Sequence, residues 1–254
     1  MSRPDDQWVI LGQQYLQATA GSFLSGVTHN LNNAVHIVDL QLELLQRKLA
    51  GALDRGQIES RLERMGQASK SMGEQLQHLR HRFFYTQVES TQIDLGQYME
   101  WLDAFWNNNL FYKHNISMTW QVAEEVPNLE LRPFFLTLCL EEPLKNAVRA
   151  CRAANLEGEH TIRVQITPWN SGAAVTLDSR EPLPDTLDIW AEGTTSSPGR
   201  RGLGLPLVQA LGRIAGWETA LFPNEDTGAR FELKIPEMIS SLPSIEVFEA
   251  LADW

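Results

Sequence analysis

The sequence predicts an α+β protein in which a helical hairpin precedes an α/β sandwich. The hydrophobic period changes near Ser90, from the seven-residue spacing of paired helices to short strands alternating with helices. A short break at 51–56, with glycine at both ends, separates the two helical stretches. A chain of 254 residues has room for two domains. We divide it into a hairpin at 1–90, an α/β domain at 91–237 and a C-terminal tail at 238–254.

Heptad-spaced apolar residues define both helices of the hairpin. The first series is Leu24, Leu31, Val35, Val38, Leu42, Leu45 and Leu49, and the second is Ile58, Leu62, Met65, Ser69, Met72, Leu76, Leu79 and Phe83. A hairpin alone buries one stripe per helix, so we predict that two hairpins pair into a four-helix bundle and that the chain is a homodimer. Residues before Leu24 are expected to extend the first helix upstream.

The α/β domain is predicted from strand and helix patterns after Ser90. Strands are predicted near 116–122, 161–167, 173–178 and 229–235, and helices near 95–112, 133–154 and 204–216. Mostly antiparallel strands alternating with helices favour a sheet that has one face covered by helices. In the tail, apolar residues spaced by three, from Ile245 to Trp254, predict a short helix.

Composition excludes several classes of protein. The formal net charge is −11, and such an acidic chain is a poor electrostatic partner for nucleic acid. Residues 7–38 carry no charged side chain, but glutamines and asparagines interrupt them, so neither a membrane span nor a signal peptide is predicted. The two cysteines cannot build a disulfide framework. We therefore expect a cytoplasmic protein, complete as written.

His29 is the first candidate site residue. It falls at a b position beside the heptad seam, where the ordinary interpretation is a solvated side chain. The surrounding string at 23–33, FLSGVTHNLNN, resembles the phosphoacceptor box of sensor histidine kinases. That resemblance implies that His29 carries a phosphoryl group and exchanges it with an aspartate of a response-regulator receiver domain. An exposed, neutral imidazole is a suitable nucleophile for this role.

The string at 138–150, LCLEEPLKNAVRA, places Glu142 and Asn146 four residues apart on one helical face. It resembles the N-box of the Bergerat-type ATPases, the fold that histidine kinases share with gyrase. The resemblance implies that Asn146 and Glu142 hold Mg²⁺ with ATP, that Glu142 has a catalytic role, and that Lys145 and Arg149 face the phosphates. Mg²⁺ prefers hard oxygen ligands of this kind. Pro143 is awkward in the middle of a helix.

Two glycines open the string GLGLPLVQAL at 202–211. It resembles the G2 box, in which the backbone N–H groups of Gly202 and Gly204 approach nucleotide phosphates at the start of a helix. Upstream, IWAEGTTS at 189–196 resembles the F-box and mobile lid, and the resemblance assigns Thr195 to the nucleotide site. The lysine common after the paired threonines is Ser196 here, and Arg200 and Arg201 could supply the missing charge.

The chain departs from the family pattern at two places. Asp178 would hydrogen-bond the adenine as the aspartate of the G1 box, but Arg180 and Pro182 stand where that box has glycines. Asn30 follows the phosphoacceptor where an acidic residue is usual, and an amide cannot act as a base. Asn33 does match the family, where this position orients water for dephosphorylation of the receiver.

The ordered motifs lead to three functional hypotheses. The first is a sensor-less histidine kinase that autophosphorylates His29 with Mg²⁺-ATP and passes the group to a receiver. The second is a degenerate pseudo-kinase that acts as a phosphotransferase or a receiver phosphatase without ATP; Asn30, Arg180, Pro182 and Ser196 favour it. The third is a non-catalytic dimeric scaffold, in which His29 is incidental.

Overall fold

The structure is a computed structural model, and it describes residues 4–48, 54–154, 160–179, 189–194, 202–224 and 228–237. The predictions made for Thr195, Arg180, Pro182, Ser196, Arg200, Arg201 and the tail at 238–254 lie outside these residues.

Two long helices, α1 (Pro4–Lys48) and α2 (Arg55–Phe84), form the predicted hairpin. The upstream extension of the first helix is confirmed, because α1 runs without interruption through the phosphoacceptor string. A hydrogen bond of 3.2 Å from Arg61 Nη1 to Gln41 Oε1 joins the two helices near their connection. The hairpin therefore presents His29 on the longer of its two helices.

The heptad seam divides into an inner and an outer set of residues. Val27, Ala34 and Gln41 of α1 are buried, and Ala68 of α2 is buried with them. The exposed apolar residues of the predicted series are Leu24, Val35, Leu42, Leu62, Leu76 and Phe83. Its half-buried members are Leu31, Val38, Leu45, Ile58, Met65, Met72 and Leu79. Part of the predicted series is therefore shielded within the chain, and part lies on the outer side. Small residues such as Ala34 let the two helices of one chain approach, which leaves the larger residues on the outer side.

The α/β unit contains a five-stranded sheet in the order β2-β4-β5-β7-β6. Its strands are β2 (Ile116–Val122), β4 (His160–Trp169), β5 (Gly172–Ser179), β6 (Glu218–Asn224) and β7 (Gly228–Ile235). The β2–β4 pair is parallel and the other pairs are antiparallel. The four predicted strands are confirmed; β6 and a separate two-stranded sheet of β1 (Thr91–Ile93) and β3 (Leu129–Leu131) were not predicted.

Within the described ranges, four helices accompany the sheet: α3 (Leu95–Trp106), α4 (Leu110–Asn115), α5 (Pro133–Ala154) and α6 (Gly204–Ile214). The single helix predicted near 95–112 is wrong, because three asparagines interrupt it. The Asn109 side chain caps α4 by accepting from Tyr112 N, and the Asn108 side chain donates to Phe105 O. Pro143 lies inside α5 without ending it. Leu140 and Leu144 of α5 face Val175 and Leu177 of β5 across a small apolar cavity.

The upstream half of α1 belongs to the core of the α/β unit. Val9, Leu16 and Phe23 are buried at a spacing of seven residues. The Phe23 ring lies 4.7 Å from that of Phe105 and 5.1 Å from that of Trp106, measured between centroids. One helix thus packs first on the α/β unit and then on α2. None of the helices in the described ranges is long and apolar enough to cross a membrane.

Candidate functional site

His29 is exposed on α1, as the heptad phase predicted. Asn33 lies one turn further along, and its Nδ2 is 3.0 Å from His29 Nε2. An amide N–H donates and an amide oxygen accepts, so this side chain can pair with the imidazole ring nitrogen. The geometry therefore presents the His29 imidazole to solvent with an amide group beside Nε2.

The helix around His29 is fixed to the loop between α3 and α4. Asn30 Nδ2 donates to Asn108 Oδ1 at 2.9 Å. A Cβ built on Gly26 would lie 1.8 Å from Asn108 O, so only glycine permits this approach of the helix to the backbone. Asn30, which stands where an acidic residue is usual, serves here as a contact between the two units.

The predicted N-box residues lie together on α5 beside the start of α6. Glu142 is buried, and Lys145 and Asn146 are half-buried on the same side of the helix. Lys145 Nζ lies 3.0 Å from Glu142 Oε2, and Arg149 Nη1 lies 3.9 Å from Glu142 Oε1. A Cβ on Gly204 would lie 2.2 Å from Glu142 Oε1, so the carboxylate touches the first residue of α6. The structure thus places Glu142 against Lys145 and Gly204, with Asn146 on the same side of α5. The roles that the sequence analysis gave to these residues stay predictions.

Tyr15 of α1 is a site residue that the sequence analysis missed. Its hydroxyl donates to the Glu142 carboxylate, and Lys145 Nζ donates to the hydroxyl oxygen. The Lys145 ammonium lies 4.2 Å from the centroid of the Tyr15 ring. A residue of α1, the helix that carries His29, therefore engages both the Glu142 carboxylate and the Lys145 ammonium.

Arg82 and Glu141 form a buried ion pair between α2 and α5. Their side chains are only 7% and 3% exposed, and the Arg82 guanidinium lies 5.3 Å from the Phe105 ring centroid. Arg82 Nη2 also donates to Leu16 O at 3.4 Å, so one side chain links α1, α2 and α5. Burial raises the pKa of Glu141, and the neighbouring Arg82 cation opposes that shift.

Asp178 is not with the N-box residues. Leu177 faces α5, and successive residues of a strand face opposite sides, so Asp178 faces away from α5. Arg230 of β7 is its cross-strand partner and binds it through Nε at 2.6 Å and Nη2 at 2.8 Å. Asn224 Nδ2 donates to Asp178 Oδ1 at 3.0 Å. The predicted contact of Asp178 with adenine does not fit this position, and Ser179 takes the end of the strand on the helix side.

Gly202 and Gly204 take part in tight backbone packing at the start of α6. Gly202 has φ of +59°, a conformation that favours glycine, and its carbonyl accepts from Gly193 N at 3.2 Å. A Cβ on Gly202 would lie 2.4 Å from Thr194 O. The described part of the predicted lid therefore folds back on the first glycine of the G2 string.

The two candidate centres are separate within one chain. Tyr15 marks the N-box end of α1, and the 14 residues to His29 correspond to about 21 Å along a helix. Glu142, Lys145 and Asn146 have the chemistry to hold a magnesium nucleotide. The present arrangement does not fit a magnesium nucleotide. Tyr15 engages Glu142 and Lys145, and Asp178 faces away from α5.

The architecture defined by this hairpin and sandwich is that of the histidine kinases. Full-length ShkA in complex with AMPPNP matches 91% of this chain and 47% of its own, at 15% identity and a TM-score of 0.50. The nucleotide-free catalytic domain of histidine kinase ThkA matches over 59% of this chain and 96% of its own, at 20% identity and a TM-score of 0.49. A bacterial phosphotransferase matches 84% of this chain and 95% of its own, at 16% identity and a TM-score of 0.42.

At these identities the likeness shows the fold, and the predicted fold class is confirmed at that level. No protein-family model and no curated protein matches the sequence. The chain spans about half the length of full-length ShkA.

Proposed function

We propose that the chain is a histidine phosphotransfer protein of two-component signalling, built on the histidine kinase fold. In this proposal His29 takes a phosphoryl group from the aspartyl phosphate of one receiver domain and passes it to another. The observation that carries it is the exposed imidazole of His29 with Asn33 at 3.0 Å. In the first transfer the imidazole lone pair forms a P–N bond while the P–O bond to the donor aspartate breaks, and that aspartate leaves as a carboxylate. In the second, a carboxylate oxygen of the accepting aspartate forms a P–O bond while the P–N bond breaks, and the imidazole leaves with its lone pair restored.

The arrangement of the α/β unit supports a source of phosphate other than ATP. The phosphoacceptor helix is fixed to the α3–α4 loop at Gly26 and Asn30, and to the N-box at Tyr15. Phosphoryl transfer requires the reacting atoms to be about 3–3.5 Å apart. A helical separation of about 21 Å between Tyr15 and His29 is far beyond that reach.

ATP-dependent autophosphorylation of His29 is the second candidate function. Glu142 contacts Gly204 at the start of α6 and pairs with Lys145, and this favours it, because the N-box and G2 resemblance assigned these residues to Mg²⁺-ATP. Within one chain it requires an arrangement of the α/β unit other than the one described here; in the proposed homodimer it requires transfer from the α/β unit of the partner protomer.

Phosphorylated receiver domains test both functions. Receivers charged with radiolabelled acetyl phosphate are mixed with the full chain, and a parallel sample receives γ-labelled Mg²⁺-ATP. We expect acid-labile label on the chain from the receiver and none from ATP. His29→Gln abolishes labelling, whereas His36→Gln, an exposed histidine seven residues further along α1, keeps it. Label from ATP alone would replace the proposal by the kinase, and label from neither donor would contradict both.

The proposal includes a homodimer formed by the hairpins. The exposed heptad residues of both helices, from Leu24 to Phe83, lie outside the contact within one chain. Burying apolar side chains is worth about 25 cal/mol per Å², so two such faces stabilise a four-helix bundle. We place this dimer in the cytoplasm, with receiver domains as its partners, and retain the division into a hairpin at 1–90 and an α/β domain at 91–237.

A further inference from the structure

We propose that the groove between α5 and α6 is a helix-binding site whose ligand is residues 5–16 of the chain's own α1. While this segment is bound, it excludes a magnesium nucleotide from Glu142, Lys145 and Asn146. The inference goes beyond the proposed phosphotransfer function and does not depend on it, because it concerns the α/β unit and not His29.

The backbone of α1 fits closely into this groove at Gly12. A Cβ built there would lie 2.9 Å from Leu211 of α6, 3.0 Å from Phe134 and 3.3 Å from Leu138 of α5. Glycine inside a helix costs about 1 kcal/mol relative to alanine. At Gly12 the missing side chain lets one helix touch both walls of the groove at once.

Apolar residues on either side of Gly12 fill the groove. Val9 is fully buried and Leu16 is 4% exposed, and both belong to the same core as Phe134, Leu138 and Leu211. Residues at i, i+3 and i+7 of a helix share one face, so Val9, Gly12 and Leu16 form one continuous contact surface. The groove thus receives an amphipathic helix by the same rules that govern other helix-in-groove complexes.

Polar contacts fix the direction and register of the segment. At one end, Arg213 Nη2 of α6 lies 3.4 Å from Asp5 Oδ1. At the other, Leu16 O accepts from Arg82, and Tyr15 binds the N-box through both Glu142 and Lys145. The Arg213–Asp5 pair is largely exposed, so the contacts of Leu16 and Tyr15 contribute more to the orientation and register of this helix.

When the α1 segment is bound in the groove, Tyr15 occupies the N-box residues Glu142 and Lys145. The Glu142 carboxylate is buried, accepts from the Tyr15 hydroxyl and forms an ion pair with the Lys145 ammonium. The Lys145 ammonium, which the N-box resemblance directed toward phosphates, donates to the Tyr15 hydroxyl and lies 4.2 Å from the centroid of its ring. A nucleotide phosphate and Tyr15 cannot contact Lys145 from the same side.

Calorimetry with Mg²⁺-AMPPNP on the full chain tests the proposal, together with hydrogen exchange of the amides at 5–16. Gly12→Glu places a large charged side chain against both walls of the groove, and Gly21→Glu places the same side chain on the same helix where nothing lies within 4 Å. We expect Gly12→Glu to speed amide exchange at 5–16 and to bind the nucleotide at least tenfold more tightly than wild type. Gly21→Glu should match wild type in both measurements.

A second, milder variant keeps the proposal testable if Gly12→Glu does not fold. Tyr15→Phe keeps the ring and removes the hydroxyl on Glu142, and we expect a gain in nucleotide affinity in the same direction with a native circular dichroism spectrum. Equal affinity in wild type, Gly12→Glu and Tyr15→Phe would overturn the exclusion of nucleotide. Unchanged exchange at 5–16 in Gly12→Glu would overturn the helix-binding site itself. Neither result affects labelling of His29 by receivers, so the two proposals fail separately.

Discussion

Removing Arg82 should destabilise the protein through the carboxylate that it leaves behind. Arg82→Met keeps a long apolar side chain beside Phe105 but strands Glu141 in a site where its side chain is 3% exposed. Breaking a buried ion pair by removal of one partner costs about 3–5 kcal/mol. Arg82→Met/Glu141→Leu removes both charges, so we expect it to recover most of that loss.

The assay is urea unfolding at pH 7, followed by tryptophan fluorescence at one fixed protomer concentration. Arg55→Met is the matched control, because Arg55 forms a 2.8 Å ion pair with Glu59 that is largely exposed, and such pairs contribute about 0–1 kcal/mol. A cost below about 1 kcal/mol for Arg82→Met, or a double variant no more stable than the single one, would refute the reasoning.

The sign of the pH dependence gives an independent check. Burial raises the pKa of Glu141, and Arg82→Met removes the cation that opposes this shift. A folded-state pKa raised above the unfolded value contributes stability at low pH that is lost as pH rises through the folded pKa. The loss in free energy of unfolding caused by Arg82→Met should therefore be smaller at pH 5 than at pH 8.

Three further predictions concern the hairpin. Gly26→Ala should lower the free energy of unfolding by about 1–3 kcal/mol, because its Cβ meets a backbone carbonyl. Gly21→Ala, whose Cβ lies in open space, should raise it by about 0.5–1 kcal/mol. Urea unfolding midpoints compare the two variants, and equal midpoints would contradict the close approach at Gly26. Burial, and secondly the charge interaction with the neighbouring His81, lower the pKa of His78, so the folded protein binds fewer protons than the unfolded chain below pH 6.5 and the free energy of unfolding should fall as pH decreases. His78→Gln should flatten that dependence in unfolding series from pH 7.5 to 5.5, and an unchanged slope would reject the assignment. Leu76→Glu, on the exposed heptad face, should convert a dimer into a monomer in analytical ultracentrifugation; a variant that sediments like wild type would exclude this face.

The hairpin and the main sheet could be predicted because their signals are local and long. The seven-residue repeat extends over both helices, and along most of β4 and β7 buried residues alternate with more accessible ones. β1 and β3 have three residues each, too few for a periodic signal. The break at Asn107–Asn109 depends on side-chain hydrogen bonds to the backbone, which apolar spacing does not report.

The candidate site was predictable only in part. Glu142, Lys145 and Asn146 share a face of α5 through helical geometry alone. Asp178 was misplaced because the motif was matched without its strand phase: Val175 and Leu177 face the helices, so the next residue faces away. Tyr15 contacts residues 127 and 130 positions away in sequence, and no local pattern reports such a contact.

The continuity of α1 has a mechanical consequence. At 1.5 Å per residue its 45 residues form a rod of about 68 Å, with the α5–α6 groove near one end and the hairpin connection at the other. Val9, Leu16 and Phe23 fix the angle of the rod about its axis, and Val27 and Ala34 fix the same angle against α2. The backbone at His29 lies between these two contacts, so a rotation of the helix about its axis that turns His29 to another direction must disturb at least one of them.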